Sequence, residues 1–426
     1  MKKSTIPAMC FFAVIVLVAH WPRPFTFEVR VQTAGVPPLD LATTDFLQEF
    51  NRLGIQRTPK EENFAAGLAE LIVVPDWDGD PAYPHKPDEQ SVSNATQVAA
   101  KSHPGRKATL AAYEIEDTKT AQQFSFGDFI TAKYRFPLTA SPFGNHRGPF
   151  FPMDSADEVL SEPWTRQRFP VVSEWLDAKH GLLEDIERIS HRQQFFQFAF
   201  RGEGIGIGYD FSLVTAVRRL QYLYTAQVTR ALGEGNLAEA QTGIFTLLRI
   251  AALLIDADSE TEFFVGSIIN ELACRLAVQW LSHPGLASLS LNEFGAQLDS
   301  TPRLAPPVRL ADVANRFLMF EQLQRHYRHG VSDLQGASVL ATREGKRGLG
   351  ERLFLNALLC GLADWNDISR RSAQEVDEFV VILKLEASKT RRTRIGEVKR
   401  PPQMKDSLRD PAWQLARDNF GALSRH

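Results

Sequence analysis

Residues 212–255 read SLVTAVRRLQYLYTAQVTRALGEGNLAEAQTGIFTLLRIAALLI. Leu213, Val217, Leu220, Tyr224 and Val228 recur at i, i+4, i+7, i+11 and i+15, the stripe of a helix with one buried face. Gly233-Glu234-Gly235 stops that helix. Asn236 and Glu239 then have the spacing of a capping box, and Ile244, Leu247, Leu248, Ala251 and Leu254 supply the next apolar face. Two helices joined by so short a turn are antiparallel neighbours. Helical-repeat hairpins turn in the same way, but no second copy follows at the period of about 34 residues, so a regular tetratricopeptide array is not expected.

The pattern continues in both directions. Downstream, Ser259 and Glu262 make another box before Phe263, Ile268, Leu272, Leu276 and Trp280. His283-Pro284-Gly285 is a stop, and Ser290 with Glu293 opens a shorter helix holding Phe294 and Leu298. Leu310, Val313, Phe317, Phe320, Leu323 and Tyr327 predict one long helix ending at Gly330. A connection over 331–350 precedes the helical runs of Leu353–Cys360 and Trp365–Leu383. Upstream, Pro170–His191 predicts one or two helices. Thr58-Pro59-Lys60-Glu61 reads as N-cap, N1 proline and N3 glutamate of a helix carrying Phe64, Leu68, Leu71 and Ile72. Phe46, Leu47, Phe50 and Leu53 form the helix before it, closed by Gly54. The fold class expected is all-α: irregular antiparallel hairpins in an α-α bundle of about ten helices, with no β-hairpin signal.

The expected segments are 1–24, a signal or anchor; 40–75, a helical hairpin; 76–125, a polar loop or insertion; 126–388, the main helical domain; and 389–426, a basic polar tail. Composition bounds the function. The 48 Lys+Arg minus 51 Asp+Glu leave a net charge of −3, which excludes a globally basic nucleic-acid binder, and no nucleic acid is expected as partner. With 44% hydrophobic and 23% charged residues the chain is globular rather than disordered. Three cysteines are too few for a disulfide scaffold or a four-cysteine metal site.

Lys2 and Lys3 precede an apolar run from Ile6 to Ala19. As a helix its length is about 21 Å, short of the ~30 Å hydrocarbon core and typical of a signal peptide. Leu17-Val18-Ala19 is a weak cleavage pattern, whereas Trp21 and Arg23 suit a membrane interface. The expectation is a membrane-anchored protein with its bulk extracytoplasmic; secretion after cleavage is the alternative. Cys274 and Cys360 fall in apolar helical runs and read as buried small hydrophobes, with a disulfide between them left open.

Motifs that carry chemistry are incomplete. Gly202, Gly204, Gly206 and Gly208 lack a Walker lysine and the dinucleotide spacing, and read as a flexible inter-helix loop that could frame a groove. Asp76, Asp78 and Asp80 resemble a calcium loop, but its twelfth position is Pro87 instead of a glutamate. His326 and His329 have zinc spacing, yet Arg325 and Arg328 crowd them. Glu184, Asp185 and Glu187 could hold a glycosidase pair but read as a solvated helix face. Gly-x-Ser-x-Gly is absent. Asn94-Ala95-Thr96 is a glycosylation sequon in a host that uses it. Lys389, Arg391, Arg392, Arg394, Lys399, Arg400 and Lys405 make a tail that could meet anionic lipid. No catalytic residue, cofactor or metal ligand is assigned.

Several segments, loosely spaced over about 45–385, resemble an uncharacterised family of exported or membrane-anchored helical proteins of planctomycete-type bacteria. They are Asp45-Phe46-Leu47, Glu62-Asn63-Phe64-Ala65-Ala66, Pro163-Trp164, Pro170, Trp175-Leu176, Leu182-Leu183, Arg192, Ala231 through Ala240, and Leu362-Ala363-Asp364-Trp365-Asn366. The insertion at 76–125 and the basic tail depart from its pattern. The resemblance implies an exported helical protein and brings no activity with it. The functional expectation is an extracytoplasmic, membrane-associated binding or scaffold protein with a protein partner. The alternatives are an envelope hydrolase with a dispersed active site, or a subunit of a membrane complex.

Overall fold

The computed structural model describes residues 27–72, 109–114, 158–202, 205–209, 212–286, 288–302, 307–329 and 365–384. The segments predicted at 1–24 and 389–426 lie outside them, as do Asp76, Asp78, Asp80, Asn94 and Cys360. The described chain is mostly helical. Its helices of eight residues or more are α1 (Phe46–Arg57), α2 (Phe64–Leu71), α3 (Pro170–Ala178), α4 (His180–Ser190), α5 (Ser212–Gly233), α6 (Leu237–Ile255), α7 (Glu260–Leu281), α8 (Ser288–Ser300), α9 (Arg316–His329) and α10 (Trp365–Leu383).

Contacts divide the chain into two compact units. One holds Met1–Leu53, Ala199–Gly208 and Pro306–His426; the other holds Gly54–Phe198 and Tyr209–Ala305. Residues expected in a single body over 126–388 therefore fall in both. We call them unit 1 and unit 2.

Unit 2 is built on the opening stretch of sequence. α5, α6 and α7 pack on one another, α4 and α8 lie against α6, and α2 and α3 against α5. The predicted stripe of α5 is buried throughout, and its core is continuous from Phe64 to Phe294. Asn236 caps α6 by accepting from the Glu239 amide. Ser259 and Glu262 form the predicted capping box of α7, each side chain bonded to the other's backbone N–H. At one end of the α6–α7 pair, a Cβ on Gly266 would meet Ile255 at 2.9 Å. At the other end, the Trp280 indole donates to the Leu237 carbonyl at 2.9 Å. The two helices therefore run in opposite directions. Trp280 also stacks on Phe294 of α8, with centroids 4.7 Å apart.

The N-terminal hairpin differs from its prediction in two places. α1 does not stop at Gly54 but continues to Arg57. That glycine is needed for packing, because a Cβ there would overlap the Phe196 ring at 2.0 Å. Thr58 is not the cap of α2 either. Lys60–Glu62 form a single 3-10 turn and Asn63 is the cap. The buried Asn63 carboxamide accepts from the amides of Ala65 and Phe196 (3.0 and 3.1 Å) and donates to the Phe196 carbonyl and the Tyr113 hydroxyl (2.9 and 3.1 Å). Tyr113 belongs to 109–114, the described part of the stretch predicted as a polar loop. It is a helical turn there, with Leu110 in the core. Asn63→Ala removes four bonds at once and strands buried partners, so it is expected to cost about 2–4 kcal/mol. Asn63→Asp keeps the two acceptor roles but sets a carboxylate oxygen against the Phe196 carbonyl, so it should cost less than alanine only at acidic pH, where the protonated oxygen can donate; urea denaturation of both variants at pH 4 and pH 7 checks this.

Unit 1 contains two small sheets where no β-hairpin was expected. β1 (Glu28–Val29) pairs antiparallel with β2 (Leu39–Asp40), with Val29 opposite Leu39. β3 (Ala199–Gly202) pairs with β4 (Ile205–Tyr209). Three of the four glycines read as a flexible loop are thus strand residues: Gly202 ends β3, while Gly206 and Gly208 lie in β4, and Gly204 lies outside the described residues. Alternation with Ile205 and Ile207 was the period-two signal. The single helix predicted from Leu310 is a π-helix over Leu310–Asn315 followed by α9. Phe46, Phe50, Phe317 and Phe320 interlock in the interior, centroids 5.8–6.1 Å apart between α1 and α9.

Candidate functional site

The strongest polar constellation in unit 2 surrounds the α6–α7 connection. Asp258 and Glu262, four residues apart, are both buried, beside Gln197. Arg57, at the end of α1, pairs with Asp258 at 2.5 Å and lies over the Phe196 ring at 6.0 Å. Glu262 receives the Ser259 amide on Oε2 at 3.0 Å. Its other oxygen faces the buried Gln197 amide, which pulls on the carboxyl without a well-aligned hydrogen bond, and Nε of Arg57 is buried without a hydrogen-bond partner. Burial, aided by the charge of Asp258, pushes the Glu262 carboxyl up to about 8, against the opposing pull of its Ser259 bonds. Glu262 is thus a neutral acid beside an ion-paired carboxylate, the pairing that acid–base chemistry exploits. Yet Glu262 is only 1% exposed, and Asp258 and Gln197 are 3% exposed. These groups are enclosed in the interior of unit 2.

Two further charged groups, Arg316 buried and Arg249 half-buried, are structural in character. In unit 1, the Arg316 guanidinium donates to Asp312 and Asp377 at 2.6 Å, and Asp312 accepts from the Thr33 amide and hydroxyl at 2.6 Å. In unit 2, Arg249 donates to Ser190 and Thr246 at 3.1 and 3.2 Å, and burial lowers its proton affinity. Arg249 interrupts α6, which by length and composition could cross a membrane; two thirds of that stretch is buried in the core of unit 2.

The surface gives the second feature. α7 exposes Ile268 (53%), Val278 (62%) and Leu281, and α8 exposes Leu291 and Leu298. Cys274, expected to be buried, is free and exposed on α7. The helix places it between core residues Ala273 and Leu276, which turn inward while it turns out. Apolar sequence neighbours did not reveal its direction; the period of the Leu272–Ala273–Leu276–Trp280 stripe does.

The remaining sequence candidates do not converge. Glu184 and Asp185 lie on the outer face of α4, paired with His180 and Arg188 within that helix. His326 and His329 lie in α9, but their side chains are outside the described residues. Among the described residues no group of three or more His, Cys, Asp or Glu side chains could hold a metal ion. No family model, curated protein or solved structure matches the chain.

Proposed function

We propose that this chain is an extracytoplasmic, membrane-associated binding or scaffold protein, attached through the N-terminal run Ile6–Ala19 and acting through a helical surface. The observation that carries the binding part is the exposure of large apolar side chains on α7 (Ile268, Val278 and Leu281) and on α8 (Leu291 and Leu298). The enclosure of Asp258 and Glu262 supports binding over catalysis. The anchor, the bundle of antiparallel hairpins and the affinity to exported helical proteins are part of this reading, supported by the N-terminal run and the ordered short segments. Fractionation tests the location. The intact chain should stay with membranes through alkaline extraction; soluble protein with a new N-terminus after Ala19 would refute the anchor.

An envelope hydrolase is the second reading, favoured by the paired carboxylates of Asp258 and Glu262. Its test is release of soluble fragments from purified envelope, lost in Glu262→Gln. No release by the native chain contradicts it.

A further inference from the structure

Four side chains on the outer face of α7 form a pattern symmetric about residue 273. Ile268 and Val278 lie five positions either side of residue 273, and Glu271 and Arg275 lie two positions either side. All four are exposed. At 100° per residue they fall on one arc, opposite the core stripe of Leu272, Ala273, Leu276 and Trp280. Among the described residues neither Glu271 nor Arg275 is ion-paired, although i,i+4 spacing would permit a pair within the helix.

We propose that this face docks a second copy of the chain, α7 against α7 in antiparallel register about a two-fold axis at residue 273. The proposal rests on the binding reading and names its partner. A two-fold interface needs a self-complementary patch, in which residue i meets j and j meets i. Here the two exchanges between the four exposed side chains are both favourable. Ile268 meets Val278 of the second copy, Glu271 meets Arg275, and both contacts occur twice. Three positions further out on the same register, Leu281 pairs with Val265, a half-buried residue at the core's margin. A random exposed helix face would place like charges or a charge against an apolar side chain at one of these positions, which costs binding energy. Cys274 sits one residue from the axis, so the two thiols come near each other.

The test uses the full chain in detergent with Cys10→Ser and Cys360→Ser, leaving Cys274. A short bifunctional thiol reagent should give a covalent dimer, and sedimentation should show a reversible dimer. Glu271→Arg or Arg275→Glu alone places two like-charge pairs in the interface and should weaken the dimer roughly tenfold or more. The double exchange Glu271→Arg with Arg275→Glu restores the pattern in mirror form and should return affinity to within about threefold of the starting protein. Both residues are exposed, and circular dichroism checks that each variant folds. A monomer, single reversals without effect, or a double exchange no better than the singles would overturn the proposal. Cross-links from Cys274 to a different protein in native membranes would also overturn it, while leaving the binding reading intact.

Discussion

Gly233→Ala is expected to be among the most damaging single substitutions in unit 2, with a loss of about 3–5 kcal/mol. Helix propensity alone predicts the opposite sign, since alanine is favoured over glycine in a helix by about 1 kcal/mol. The clash decides. A Cβ on Gly233 would lie 2.1 Å from the Trp164 carbonyl oxygen, 2.4 Å from its carbon and 2.5 Å from its nitrogen, all backbone atoms. That backbone is tied down. The Trp164 amide donates to the Thr229 carbonyl at 3.1 Å, and its indole donates to the Val159 carbonyl and the Thr229 hydroxyl at 3.1 and 3.0 Å. Trp164 is also buried, edge-on to Phe169. Relief of the overlap means breaking these bonds or shifting the end of α5. Gly235 is the internal control. It adopts φ +75 with open space around it, so Gly235→Ala meets only the left-handed backbone penalty of about 1–2 kcal/mol. Urea unfolding followed by tryptophan fluorescence should rank the two variants in that order; a Gly233→Ala protein as stable as the native chain contradicts the packing described.

Glu262→Gln should raise stability at alkaline pH and flatten its pH dependence. The folded carboxyl titrates near 8 and the unfolded one near the ordinary 4.5. Between those values the folded state holds a proton that the unfolded state has released, so stability falls as pH rises. The protonated form's contribution is complete below about 4.5 and is lost through about 8. At pH 9 the burial of an ionised Glu262 beside Asp258 corresponds to a penalty of roughly 2–5 kcal/mol. Glutamine has the shape of the protonated acid, and its carbonyl oxygen can still accept from the Ser259 amide. Thermal unfolding from pH 5 to 9 should show native Tm falling with pH and the variant's Tm nearly level. Parallel curves would mean that Glu262 is not a buried neutral acid.

The helical architecture was legible because it is written in local, periodic signals. The α5 stripe, the Asn236 cap and the Ser259–Glu262 box each need only a few neighbouring residues to be read. What failed was set by residues distant in sequence. α1 passes through Gly54 because Phe196 packs on it, and Asn63 displaces Thr58 as cap because Phe196 and Tyr113 meet its side chain. The glycines after Ala199 look like a loop when counted as glycines and like a strand when the isoleucines between them are counted. The polar cluster was invisible for a related reason. Glu262 was read correctly as a capping residue, but it is buried beside Gln197, which no spacing connects to it. The outer face of α7 was accessible in principle, since Ile268 was already in the helix pattern; only the burial of the opposite stripe shows that it points away from the core.

The most direct test of the binding reading is site-specific photo-cross-linking in native membranes. A photoreactive residue replacing Val278 on α7 should give a discrete protein adduct, and one replacing Glu184 on the solvated face of α4 should give none. No adduct from Val278, or the same adducts from both positions, would contradict the claim that the protein acts through this face.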